Sequence, residues 1–72
     1  MEVRLFATFR ENREKIMHIG WSEGMTGLDL LRELDIPQKE VAIFLINGAH
    51  SNAEAPLASD DIIALFPPVG GG

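Results

Sequence analysis

The residues best suited to chemistry in this chain are its last six. Pro67 and Pro68 hold the backbone extended, Val69 offers one apolar side chain, and Gly70, Gly71 and Gly72 offer none. Six extended residues reach at most about 20 Å, enough to enter the active-site channel of another protein. A glycine-only end suits a narrow channel, because even an alanine methyl would meet its walls. The carboxylate of Gly72 would then be the reacting group, with Gly71 beside it. Expulsion of oxide from a carboxylate is prohibitively slow, so acyl transfer requires prior conversion to a better leaving group. Adenylation by ATP achieves this, since AMP departs when a sulfur nucleophile attacks, and the product would be a C-terminal thiocarboxylate.

Other chemistries find little support. The 72 residues include no cysteine, which excludes disulfides, thiolate metal sites and a cysteine nucleophile. His18 and His50 lack acidic or histidine neighbours at ligand spacing, and the adjacent Asp60 and Asp61 read as a solvated turn, so no metal site is expected. No triad or acid–base pair is apparent. The catalytic groups would lie on partners, making this chain a carrier and not an enzyme, with ATP consumed by the activating partner and no cofactor stably bound. The net charge of −5 falls in the C-terminal half, where Lys39 faces six acidic residues. Phosphate backbones would be repelled, so nucleic acid is not an expected partner. No apolar run approaches the roughly 20 residues needed to span a bilayer, and the charged opening does not read as a signal peptide; a cytoplasmic location is expected.

The elements that position the tail are legible in outline. Residues 2–9 alternate as a strand, with Val3, Leu5, Ala7 and Phe9 on one face and the aromatic Phe6 standing out on the other. After a charged turn, residues 15–21 read as a second, antiparallel strand with Met17, Ile19 and Trp21 inward. Thr26 and Asp29 have the spacing of a capping box, and Leu28, Leu31 and Leu34 mark a helix that Pro37 prevents from running far. Residues 41–46 are continuously apolar, as in a strand buried on both faces, and stop at Asn47-Gly48, a strong hairpin signal. A short strand returns, residues 52–61 form a loop anchored by Leu57, and residues 62–66 form the last strand. The order predicts an α+β roll.

Three segments carry a family resemblance: Val3 through Glu11, the apolar run ending at Asn47-Gly48, and Asp61 through Gly72 with its Phe-Pro-Pro-Val and terminal glycines. Together the chain resembles the ubiquitin-like sulfur carriers of the MoaD/ThiS family, especially the small subunits of molybdopterin synthase. The resemblance implies a ubiquitin-like β-grasp over residues 1–66, a mixed sheet packed on one main helix, with residues 67–72 as a flexible tail. It implies adenylation of Gly72 by an E1-like adenylyltransferase, then sulfur from a desulfurase- or rhodanese-type donor. The large subunit of molybdopterin synthase would receive the tail for transfer of sulfur to a pterin precursor. Phe6 and Phe66 match positions that face partners, and Pro67, Pro68, Val69 and Gly70 would line the same contact. Sulfur delivery for thiamine or a tungsten-pterin cofactor, ubiquitin-like protein modification and a purely structural module remain open alternatives.

Overall fold

The computed structural model describes residues 1–68; Val69, Gly70, Gly71 and Gly72, the last four residues of the tail expected over 67–72, lie outside the described residues. Among the described residues, β1 (Glu2–Leu5), β2 (Ile16–His18), β3 (Ile43–Ile46), β4 (Ala49–His50) and β5 (Ile62–Phe66) form one mixed sheet in the order β2-β1-β5-β3-β4. The β1–β2 and β3–β4 pairs are antiparallel hairpins, and β5 lies between β1 and β3, parallel to the first and antiparallel to the second. The helix α1 (Gly27–Leu34) packs against one face, giving the ubiquitin-like β-grasp. The parallel register places Val3 beside Ile63 and Leu5 beside Leu65. All four are fully buried in one core with Leu30, Leu31 and Leu34 of α1. Each such side chain contributes roughly 1.5–3 kcal/mol by leaving water.

The start of α1 is fixed as its sequence suggests. The Asp29 carboxylate accepts the backbone N–H of Thr26 at 2.9 Å, and this bond chiefly lowers the Asp29 pKa. Burial opposes the shift, while the Thr26 hydroxyl and the Arg32 charge reinforce it. The helix ends at Leu34, three residues before Pro37, and Asp35 just after it adopts a left-handed conformation (φ 60°, ψ 41°). Arg13 reaches across to donate to the carbonyl of Leu34 at 3.3 Å, supplying a partner and a positive charge at the helix C-terminus.

Four expectations need correction. The first strand ends at Leu5 because its neighbours run out: pairing toward β2 finishes at Leu5 N–H to Lys15 carbonyl, and toward β5 at Phe6 N–H to Leu65 carbonyl. Ala7 then turns the chain with φ 54°, and a 3-10 turn over Ala7–Arg10 delivers Phe9 to the core while Ala7 stays exposed. Trp21, expected inward on a strand, lies beyond β2 and is 39% exposed. Its indole N–H ties down the loop by donating to the Leu57 carbonyl at 2.8 Å. β3 is not buried on both faces, for only Phe44 is enclosed, and Ile43, Leu45 and Ile46 are half-buried. Asp61 is not solvated: it is 8% exposed and accepts hydrogen bonds from Asn47 Nδ2 (2.9 Å) and the Ala58 N–H (2.8 Å).

The loop over residues 52–61 is held by backbone atoms. Leu28 N–H donates to the Ala53 carbonyl at 2.7 Å, Gly27 N–H to Ala55 at 3.3 Å, and Leu57 N–H to Met25 at 2.9 Å. The loop thereby satisfies two of the N–H groups that the first turn of any helix leaves free.

Candidate functional site

The root of the tail is built by the parallel pairing of β1 and β5. Core residues alternate with outward ones, so Phe6 and Phe66, one step beyond the buried Leu5–Leu65 pair, emerge together on the face away from α1. Their rings stack with centroids 4.2 Å apart and planes 7° from parallel. Phe66 is the last residue of β5, and its carbonyl still accepts the Ala42 N–H at 2.8 Å. Pro67 and Pro68 then have no N–H to continue the ladder. The sheet therefore releases the chain at a fixed point, immediately beside a rigid aromatic pair.

Arg10 secures that pair from the other side. Its Nε donates to the Leu5 carbonyl at 2.8 Å, and its guanidinium sits 5.1 Å from the centre of the Phe6 ring. Arg4, Arg10 and Lys15 flank a mainly apolar groove of about 220 Å³ that includes Phe6 and Ile16. The side of the root next to Phe6 is thus cationic although the whole chain carries −5. On the other side Pro67 and Pro68 join Glu11, Arg13 and Glu40 around a cleft of about 520 Å³ of mixed charge.

The aromatic pair continues into an apolar sheet surface that sequence reading missed. Ile43 pairs with Phe66 and Leu45 with Ala64, on the same outer face, while Ile62 and Ile16 at its margins are 37% and 47% exposed. The unbroken apolar run at residues 41–46 was the available signal. Such a run has two explanations, burial by the protein itself or burial by a partner, and the protein itself covers Ile43 and Leu45 only in part.

Of the expected site residues, the structure brings Phe6, Phe66, Pro67 and Pro68 to one end of the sheet. Val69, Gly70, Gly71 and Gly72 lie outside the described residues. His18 and His50 are exposed on β2 and β4, and the described residues contain no cluster of three His, Cys, Asp or Glu side chains able to hold a metal ion. None of the described helices is long and apolar enough to cross a membrane.

Comparison with known proteins agrees with this geometry. The profile of the ThiS family matches residues 3–72. The fold is similar to small archaeal modifier protein 1 of Haloferax volcanii, with TM-score 0.78 and 26% identity over 96% of this chain and 97% of the other. It is similar also to a chain in the complex of subunits 1 and 2 of molybdopterin-converting factor from Helicobacter pylori, with TM-score 0.60 and 28% identity over 99% and 96%. A molybdopterin converting factor subunit 1 from Pyrococcus furiosus shares the fold, with TM-score 0.75 and 23% identity over 94% and 95%. No curated protein matches the chain.

Proposed function

This chain belongs to the ThiS family of ubiquitin-like sulfur carriers, and on that premise we propose that it serves molybdopterin synthesis as the small, non-catalytic subunit of the synthase. In this reading Gly72 is adenylated at the expense of ATP by an E1-like enzyme in the cytoplasm, with release of pyrophosphate. The persulfide sulfur of a desulfurase- or rhodanese-type donor then bonds to the acyl carbon as AMP leaves. A second thiol cleaves the acyl disulfide by forming a disulfide with the donor sulfur, and the freed thiocarboxylate enters the large subunit to sulfurate a pterin precursor. The observation that carries the reading is the junction at Phe66. The sheet ends there, two prolines follow, and the release point sits against an apolar face of the kind partners cover. The similarity to a chain in a complex of subunits 1 and 2 of molybdopterin-converting factor supports a large-subunit partner.

The test is the intact mass of the chain after co-expression with an activating enzyme and a sulfur donor. Thiocarboxylation exchanges one oxygen for sulfur and adds about 16 Da. A chain whose mass never changes would refute the carrier role. The resemblance to an archaeal modifier protein favours one second reading, conjugation of Gly72 to lysines of other proteins, which would appear as adducts of much higher mass.

The apolar face makes a separate prediction. Phe6→Ala and Phe66→Asp remove or charge the stacked pair, which lies outside the core, so the thermal midpoint should change little. Affinity for the cognate large subunit, measured by calorimetry, should fall by about tenfold to a hundredfold, as when a buried aromatic anchor is lost. Unchanged affinity in a folded variant would remove the pair from the interface.

A further inference from the structure

The dipeptide Asn47-Gly48 is chemically vulnerable as well as a good turn. An unhindered glycine amide nitrogen can attack the carboxamide carbon of the asparagine before it. Both residues have positive φ here (52° and 84°), and nothing lies within 4 Å of the point where a Cβ would stand on Gly48, so the residue that carries the attacking nitrogen is uncrowded on that side. The Asn47 side chain, in contrast, is pinned at both ends. Its Oδ1 accepts the N–H of Ile62, the first residue of β5, at 2.9 Å, and its Nδ2 donates to Asp61 Oδ1 at 2.9 Å. The partners dictate this orientation, since an N–H requires the carbonyl oxygen and a carboxylate requires the amide nitrogen. Asp61 is itself fixed by the Ala58 N–H at 2.8 Å.

We propose that Asn47 is a deamidation site which the Asp61 latch holds in check, and that conversion of Asn47 opens the latch. In the reaction the Gly48 nitrogen bonds to Asn47 Cγ, the Cγ–Nδ2 bond breaks, and Nδ2 leaves as ammonia with the proton lost from the Gly48 N–H. Water opens the cyclic imide at either carbonyl, giving aspartate or isoaspartate; carboxamide and water become carboxylate and ammonium, with no oxidation or reduction. Attack requires the carboxamide to rotate away from Ile62 and Asp61, so both hydrogen bonds must first break. The product cannot re-form the latch. Aspartate places an acceptor where the donor stood, 2.9 Å from the Asp61 carboxylate, and two carboxylates at that distance repel. Isoaspartate also lengthens the backbone at a two-residue turn whose register joins β3 to β4. The join between this turn and β5 is then the point where the fold ages, independently of the chemistry of the tail.

The full chain is incubated in mildly alkaline buffer and followed by intact mass, which rises by about 1 Da on deamidation, with peptide mapping to locate the change. Folded protein should convert at Asn47 about tenfold to a hundredfold more slowly than the urea-denatured chain, as two hydrogen bonds must open first. Asp61→Ala, folded by circular dichroism, should convert several-fold faster than the native protein. If that variant does not fold, the product itself is tested. Asn47→Asp should lower the thermal midpoint, and the exchanged pair Asn47→Asp with Asp61→Asn should restore it, because one amide again faces one carboxylate. Equal rates in folded and denatured chains would overturn the proposal. So would an Asn47→Asp variant as stable as the native protein.

Discussion

A chain ending at Gly71 is expected to fold as well as the full chain and to accept essentially no sulfur. The deletion keeps the chemistry of the terminus, because Gly70 and Gly71 still present a glycine carboxylate with no side chain near it. Only reach changes. The carboxylate retreats by about 3.5 Å along an extended chain, while acyl transfer needs reacting atoms held to within a fraction of that distance. A misplacement of about 1 Å can cost a hundredfold, so thiocarboxylate formation should fall by at least that factor. The carrier reading requires reach to be measured from a fixed point, and Phe66 is suited to be one. Its carbonyl is bonded to Ala42, its ring is stacked on Phe6, and the prolines after it cannot slip along the ladder. Intact mass after co-expression reads the result, and the thermal midpoint should be unmoved. A shortened chain that still gains about 16 Da in comparable yield would show that tail length is not gauged from the sheet.

Different kinds of information explain what the sequence revealed and what it concealed. β5, the Asn47-Gly48 turn and the Thr26–Asp29 cap were legible because each depends on a local rule: alternation, positive φ, or a side chain returning to its own helix start. The expectation for the tail rests on the same kind of rule, proline stiffness and the bareness of glycine, but residues 69–72 lie outside the described residues. Ala7 was not. An alanine with φ 54° violates its own preference, and it does so where β1 loses both partners, a fact fixed by residues 15 and 65 and not by its neighbours. Asp61 looked like one of two solvated turn acids, yet its donors are Asn47, fourteen positions earlier, and the Ala58 N–H. The stacked pair was half-legible. Phe6 broke a polar alternation and so invited attention, but its partner Phe66 is identified only when β1 and β5 are seen to run parallel in register.

Gly27 shows how far a local rule can mislead, and it supplies the largest expected change in stability. Helix propensity alone says that Gly27→Ala should stabilise α1 by about 1 kcal/mol. The structure reverses the sign. A Cβ on Gly27 would lie 2.7 Å from the Ala53 carbonyl oxygen, 2.7 Å from Cζ of Phe44 and 2.8 Å from Cα of Ala53. Two of these atoms are backbone, and the third belongs to a buried ring on β3. The Ala53 carbonyl cannot withdraw without cost, because it accepts the Leu28 N–H at 2.7 Å and helps hold the loop against the helix start. Relief of the clash therefore strains Phe44 or breaks that bond. Overpacking costs about 1–3 kcal/mol and a lost buried hydrogen bond a comparable amount, so the net effect should be a loss of about 2 kcal/mol or more. In a chain of this size that lowers the thermal midpoint by about 10 °C. Thermal denaturation gives the sign directly, and a midpoint equal to or above the native value would show that the loop yields freely. Amide exchange adds a diagnostic: the Leu28 and Gly27 amides, which donate to Ala53 and Ala55, should lose protection before the β1–β5 amides do. Uniform loss across the sheet would instead mean that the helix and the loop separate only when the whole fold opens.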